Sequence, residues 1–210
     1  MTDSGIYEKR QLLFYLYADR MMNRGLFSQT FKQRIKAIVV RDPIMRYLET
    51  MRYYAYYKTS TSVVGKVKKI YYGARFRNLG LKLGFSIAED VLGYGCVIPH
   101  YGTIVVGSPN KIGKYAVLHT STCITANGKI IGDGLYLSTG AKITTRIKLG
   151  NNVSIGANSV VNKDFEAGNA MIAGAPAHFI KDAEPWYGNE GIMYDRVRRV
   201  EELKIKMNVK

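Results

Sequence analysis

The stretch that decides the fold is IGDGLYLSTGAKITTRIKLGNNVSIGANSVV, residues 131–161, because every sixth residue in it is aliphatic. A helix repeats about every 3.6 residues and a strand every 2, so neither explains a sustained period of six. Three flat sides of six residues make one coil of about 18 residues in a parallel β-helix, with the aliphatic side chains inside. The row consists of Ile131, Leu137, Ile143, Leu149, Ile155 and Val161.

A second row with the same spacing lies upstream and is one residue out of step with the first. It consists of Val106, Ile112, Leu118, Ile124 and Ile130. The register changes near residues 104–106 and at residues 130–131, and each change predicts extra residues at a corner. Glycine often follows the aliphatic residue, and we expect it near a corner, where it relieves the backbone. These glycines are Gly107, Gly113, Gly132, Gly150 and Gly156.

The predicted fold is mainly β: a parallel β-helix over residues 85–180, an α-helical region over residues 1–84 and a helical extension over residues 181–210. Asp42 as N-cap and Pro43 as first helical residue are a strong helix start. The sequence SerThrSer at residues 60–62 interrupts the helical pattern. The predicted helices are Tyr7–Met22, Phe27–Val40, Pro43–Lys58, Val63–Leu79 and Glu190–Met207.

The net charge of +15 belongs mostly to the N-terminal region. Residues 1–84 hold 17 Lys/Arg against 5 Asp/Glu, which leaves +12 there. Such a surface attracts anionic partners, or it is simply solvated. Tyrosines are interleaved with these cations over residues 46–77. They either pack the helices together or make a peripheral membrane contact; no nucleic-acid partner is expected.

The composition predicts a cytoplasmic protein, either free or peripheral to the inner face of the membrane. Hydrophobic residues make up 47% of the chain, which is enough for a packed core. No apolar run approaches the roughly 20 residues that span a bilayer, and the first residues lack the apolar stretch of a secretory signal. Cys96 and Cys123 are interpreted as small core or corner residues in a reducing compartment.

Over residues 85–180 the chain resembles the hexapeptide-repeat acyltransferases. The resemblance rests on the two rows and on the closing sequence AGAPA, residues 173–177. IPHYGTIVVG at residues 98–107 resembles a motif of the serine acetyltransferase branch, as do LSTGAKI at 137–143 and IGANSVV at 155–161. The resemblance implies a left-handed β-helix, a homotrimer with active sites between chains, acetyl-CoA as co-substrate and no metal ion.

The sequence departs from that branch where the amino-acid substrate would bind. The branch has a second histidine in the stretch that corresponds to residues 127–130, but this chain has none there. Pro99 precedes the motif histidine, where the branch usually has aspartate, and the branch's supporting aspartate aligns near Phe85. In these departures the chain is similar to acetyltransferases of capsule, exopolysaccharide or O-antigen synthesis, which implies a sugar hydroxyl as acceptor.

His100 is the predicted general base, because the resemblance places it in the motif and neutral histidine suits proton transfer near pH 7. His119 follows one coil plus one residue later and should lie near the same edge. It either supports His100, contacts the acceptor or is a hydrogen-bonded structural residue. Glu89 and Asp90, about ten residues upstream, are the nearest carboxylates that could hold the His100 imidazole; either is equally a solvated corner residue.

Small residues at four positions match those along which the family binds CoA, where they let the pantetheine arm approach the backbone. Lys163 could pair with a CoA phosphate. Tyr101 and Asn127 are candidate acceptor contacts. The histidines lack the close spacing of the β-helix zinc carbonic anhydrases, so no metal site is predicted. The four small residues are Gly140, Ala141, Ala157 and Asn158.

The sequence therefore predicts an acetyl-CoA-dependent O-acetyltransferase that acts on a sugar hydroxyl of a cell-surface glycan or its precursor. A serine or other amino-acid O-acetyltransferase is the first alternative, since it keeps the same donor chemistry. A non-catalytic β-helix scaffold with a basic binding surface is the second alternative. His100 in its motif separates the enzyme from the scaffold, because a scaffold has no need of it.

Overall fold

The computed structural model describes residues 6–25 and 42–209, and within them four helices flank a parallel β-helix. Three helices precede the β-helix: α1 (Lys9–Arg24), α2 (Pro43–Lys58) and α3 (Val63–Leu83). Helix α4 (Gly191–Lys206) follows it. Asp42 caps α2 through its side chain, as predicted, while α3 continues four residues beyond the predicted end and stops at Gly84, whose φ is +78°. The predicted helix at residues 27–40 lies outside the described residues.

Three sheets form the sides of the β-helix, and the fold class predicted from the period of six is confirmed. Sheet A consists of five parallel strands: β1 (Phe85–Ile87), β2 (Ile104–Val106), β5 (Thr122–Ile124), β8 (Lys142–Ile143) and β11 (Val160–Val161). Sheet B consists of β3 (Lys111–Ile112), β6 (Ile130–Ile131) and β9 (Lys148–Leu149). Sheet C consists of β4 (Val117–Leu118), β7 (Tyr136–Leu137), β10 (Val153–Ile155), β12 (Ala170–Gly174) and β13 (Ala177–Asp182).

Successive coils are parallel and in register, with partners mostly 18 or 19 residues apart. Ile104 pairs with Thr122, and Lys111 pairs with Ile130. Only β13 runs antiparallel, against β12, and so closes sheet C at its last strand. Because equivalent positions recur about every 18 residues, side chains one coil apart in sequence are stacked on the same side or edge.

The predicted inward rows form the core, with one exception. Every other row member is almost completely buried, but Ile130 is 44% exposed while Ile131 is 2% exposed. Ile130 therefore faces outward, because the register change falls before it. Cys96 is buried in the core as predicted, whereas Cys123 lies half-buried within β5 on the outer face and not at a corner.

Both predicted register changes correspond to corners with extra residues. Eight positions separate the inward residues Ile98 and Val106, and seven separate Ile124 and Ile131, where six is the rule. Lys129 fills the second corner: its buried amine donates hydrogen bonds to Thr125 O at 2.6 Å and Thr125 Oγ1 at 2.8 Å, and to Asn127 Oδ1. Burial lowers the pKa of Lys129.

The glycines that follow the inward aliphatic residues serve a different purpose from the one predicted. A Cβ on Gly113 would lie 2.7 Å from the carbonyl carbon of Gly132 in the next coil, and a Cβ on Gly132 would lie 2.7 Å from that of Gly150. Gly113, Gly132 and Gly150 do not have a left-handed φ. Glycine is needed here because neighbouring coils approach closely, not because the backbone is strained.

Aromatic side chains pack α2 against α3. For the tyrosines that make these contacts, the predicted role in helix packing is confirmed. Tyr72 stacks on Tyr53 with ring centroids 4.7 Å apart and on Tyr57 at 5.7 Å. Phe76 contacts the rings of Tyr47 and Tyr54. Among the helices that the structure describes, none has the length and apolar composition needed to cross a bilayer.

A buried ion pair joins α1 and α2 to the first coil of the β-helix. Arg52 is fully buried and donates hydrogen bonds to the Asp19 carboxylate at 2.8 and 3.3 Å. It also donates to the carbonyl oxygens of Leu92 and Gly93, at 2.7 Å each. Asp19 accepts a further bond from the Cys96 N–H. One guanidinium thus connects two helices to the backbone of the coil that they cover.

Candidate active site

One edge of the β-helix, where the chain passes from sheet C to sheet A, collects most of the predicted site residues. We call it the C–A edge; its corners are residues 99–103, 119–121, 138–141 and 156–159. Backbone hydrogen bonds stack these corners, with Gly140 N–H donating to Thr120 O and Asn158 N–H donating to Thr139 O. The edge therefore brings together residues far apart in sequence: His100, Tyr101, His119, Gly140, Ala141, Ala157 and Asn158.

His100 is exposed on the first corner of this edge. The end of α3 holds the corner in place, since Gly102 N–H donates to Leu83 O at 2.9 Å and Ile104 N–H donates to Gly84 O at 3.0 Å. Tyr101, beside the histidine, is 72% exposed. The imidazole is therefore carried on a corner that is fixed at its base and open to a ligand.

His119 lies one coil along from His100 on the same edge and is hydrogen-bonded, which is one of the roles predicted for it. Its Nε2 is 2.9 Å from the Tyr136 hydroxyl, so it is a hydrogen-bonded residue. Burial lowers the pKa of His119, and the nearby His100 lowers it further. The two imidazoles are thus electrostatic neighbours, as expected from their spacing. Tyr136 was not predicted, although its position 17 residues after His119 placed it one coil further along.

The lowered pKa of His119 predicts that this residue makes the free energy of unfolding depend on pH. An unfolded chain binds a proton at His119 near the ordinary pKa of 6.5, whereas the folded chain binds it only at lower pH. Stability from this residue is therefore complete above that ordinary pKa and declines as the pH falls below it. We expect His119→Gln to flatten the fall in unfolding free energy between about pH 7.5 and about pH 5, measured by urea titration. An unchanged slope would contradict this assignment.

The small residues of the C–A edge differ in what they offer a ligand. Ala157 and Asn158 are exposed, whereas Gly140 is buried beneath the Asn158 side chain. Gly140 and Asn158 both have left-handed backbones, with φ of +75° and +57°. Ala141 is 0% exposed because its side chain points into the core. The expectation that Ala141 contacts the cofactor is therefore corrected for its side chain.

The remaining predicted residues lie on a different edge, where the chain passes from sheet A to sheet B. We call it the A–B edge. Glu89 and Asp90 both pair there with Lys58 of α2, at 2.7 and 3.3 Å. The expectation that one of them supports His100 within the chain is corrected, because a separation of about ten residues is half a coil and reaches another edge. Asn127 accepts the Lys129 bond on this edge, and exposed Lys163 lies over the Phe165 ring.

Comparison with known proteins places the fold in one class, the left-handed parallel β-helix that solved serine acetyltransferases also have. No protein-family model matches the sequence, and no curated protein matches it significantly. The likeness is therefore one of structure, and at the identities found it establishes the fold alone.

Similar solved structures include serine acetyltransferases. That of Neisseria gonorrhoeae superimposes with a TM-score of 0.62 at 18% identity over 84% of this chain and 68% of its own. The soybean enzyme, complexed with serine, gives 0.58 at 20% identity over 80% and 68%. The enzyme of Brucella abortus strain S19, in complex with coenzyme A, gives 0.57 at 19% identity over 83% and 68%. The chain spans 65% of a serine acetyltransferase solved with cysteine.

Proposed function

We propose that this protein is an acetyl-CoA-dependent O-acetyltransferase whose acceptor is a sugar hydroxyl of a cell-surface glycan or its precursor. The observation that carries the proposal is His100, an exposed imidazole on a fixed corner of a left-handed β-helix. His119 lies on the same edge one coil along, and the exposed small residues Ala157 and Asn158 continue that edge three coils from His100.

The proposed reaction is direct transfer with His100 as general base. His100 takes the proton from the acceptor hydroxyl, and the oxygen attacks the thioester carbonyl carbon. A carbon–oxygen bond forms, the carbon–sulfur bond breaks, and His100 returns the proton to the departing thiolate. Such a step needs no acetylated side chain. Burial lowers the pKa of His119, which lies one coil along on the same edge and is hydrogen-bonded to Tyr136.

The donor supplies an activated acetyl group, and the residues of the C–A edge fit its pantetheine arm. Exposed Ala157 and Asn158 present a low surface along which an extended chain can lie. Lys163, on the neighbouring edge, would supply a positive charge for a phosphate. Tyr101, exposed beside His100, is the acceptor contact that we propose on the same corner.

The proposed assembly is a homotrimer, and the positions of the two edges support it. His100 lies on the C–A edge, whereas Glu89, Asp90, Asn127 and Lys163 lie on the A–B edge of the same chain. Sheet A separates these edges, so a single chain cannot bring their side chains together. Two neighbouring β-helices packed side by side would let one chain's C–A edge face its neighbour's A–B edge, and the site would then be complete only between chains.

The proposal is tested by thiol release from acetyl-CoA in the presence of nucleotide sugars, glycan oligosaccharides and L-serine. We expect turnover with a sugar acceptor, and mass spectrometry of the product should show one added acetyl group. Release of thiol that is independent of any acceptor serves as the blank. Absence of both turnover and acetyl-CoA binding would contradict the proposal and favour the scaffold.

Serine O-acetylation is the second candidate, because similar solved structures include serine acetyltransferases and one was solved with serine. The stretch that would carry its amino-acid contacts has no histidine here, and Asn127 and Lys129 bond to each other within their corner. Serine-dependent thiol release that exceeds release with every sugar acceptor would favour this candidate.

A further inference from the structure

Helix α3 exposes an apolar stripe that the proposed acetyl transfer does not use. One face of α3 packs on α2 through Tyr72 and Phe76. The opposite face carries aliphatic residues at helical spacing, and four of them are between 62% and 79% exposed. Spacing of three, four or seven residues places them in one line along the helix. The stripe consists of Val63, Val67, Ile70, Ala74 and Leu81.

Cations border the stripe on both sides. The geometry of the helix places Lys66 and Arg77 along one side of it, and Arg75 and Lys82 along the other. Residues 63–83 include no acidic residue. A helix with an apolar stripe between two rows of cations is the arrangement found at the surface of a bilayer, with the apolar face at the acyl boundary and the cations at the phosphates.

A groove of about 400 Å³ runs between the Arg75 side of the stripe and α2. Ile70, Ala74 and Leu79 line it together with the cationic Arg46, Arg75 and Lys82. The Nε of Arg46 is buried and has no hydrogen-bond partner in the part of the chain that the structure describes. An unpaired buried guanidinium nitrogen beside an apolar wall suits a ligand with an anionic head and an apolar tail.

We infer that α3 docks this protein on an anionic lipid bilayer, with the stripe at the acyl boundary and a lipid phosphate in the groove. A second copy of this chain is a poorer occupant, because pairing two α3 helices would bring like charges together. The tyrosines that suggested membrane contact in the sequence are mostly packed between α2 and α3. The surface that contacts lipid is thus aliphatic, and Tyr71, 56% exposed, is the tyrosine that borders it.

The inference does not rest on acetyl transfer, and the full chain tests it by co-sedimentation with vesicles. We expect binding to vesicles of phosphatidylcholine containing about one third phosphatidylglycerol, and little binding to phosphatidylcholine alone. The stripe variant Val67→Ser/Ile70→Ser should weaken binding at least about tenfold. The groove variant Arg75→Gln/Lys82→Gln should weaken it about 30-fold and reduce its dependence on salt.

Matched controls remove the same kinds of group from helices on the other side of α2. Ile192→Ser/Ile205→Ser removes two exposed isoleucines from α4, and Lys9→Gln/Lys206→Gln removes two exposed lysines from α1 and α4. Both controls should bind like the wild type. Absence of binding to anionic vesicles, or equal losses in the α3 variants and controls, would overturn the inference. So would a smaller assembly for the stripe variant in sedimentation, because a second copy would then be what covers α3.

Discussion

Replacing Arg52 with methionine should lower the free energy of unfolding by about 3–5 kcal/mol, because it leaves the Asp19 carboxylate buried without its partner. Asp19 is 1% exposed and would keep only the Cys96 N–H as hydrogen-bond donor among the contacts described above. The carbonyl oxygens of Leu92 and Gly93 would also lose a charged donor. Urea denaturation followed by far-UV circular dichroism measures the change.

Two further variants decide whether the buried pair itself is responsible. Arg52→Met/Asp19→Leu removes both charges and should recover part of the loss, since no unpaired carboxylate remains. Arg198→Met breaks an exposed pair with Glu202 on α4 and should cost at most about 1 kcal/mol. The assignment fails if Arg52→Met is as stable as Arg198→Met, or if the double variant is no more stable than Arg52→Met.

Replacing His100 with alanine should lower kcat/KM for acetyl transfer by about 10²- to 10⁴-fold, the usual contribution of a general base. The loss should appear mainly in kcat, because the imidazole acts on the acceptor proton and is not needed to hold the donor. Added imidazole should restore part of the rate. The measurement is thiol release at saturating acetyl-CoA with the best acceptor.

The matched control is Pro99→Ala, which alters the same exposed corner without removing a titratable group. It should keep activity within about tenfold of the wild type, since it changes no proton-transfer group. Binding of CoA to His100→Ala, measured by calorimetry, should resemble that of the wild type. Activity of His100→Ala within tenfold of Pro99→Ala would show that another group removes the acceptor proton.

Local sequence signals predicted the elements that depend on neighbouring residues. Asp42 and Pro43 marked the start of α2, and residues 60–62 marked the break before α3. The period of six gave the inward positions, and its two interruptions gave the two enlarged corners. The sequence assigned Ile130 inward because it is aliphatic and follows Ile124 by six residues. Ile131, the next residue, is equally aliphatic, so the pattern alone does not show which of the two faces the core. In the structure Ile130 pairs with the exposed residues Lys111 and Lys148, so Ile131 is the inward residue.

Sequence separation was a reliable guide to the site only where it matched the coil. His119 follows His100 by nearly one coil, and the two share an edge. Glu89 and Asp90 are closer to His100 in sequence but lie on the other edge, where Lys58 of α2 pairs with them. A residue half a coil away lies on a different side of the β-helix, whatever the chemistry of its side chain.

By itself, the sequence determined the β-helix, its inward rows and the corner that carries His100, because these follow from a repeat whose period is set by backbone geometry. Only the tertiary structure decided which residues meet across different elements. It paired Arg52 with Asp19 and Tyr136 with His119, and it packed most tyrosines of α2 and α3 against one another while exposing an aliphatic stripe. Such contacts depend on how the helices pack against the β-helix, and the periodicity within a single element does not encode that packing.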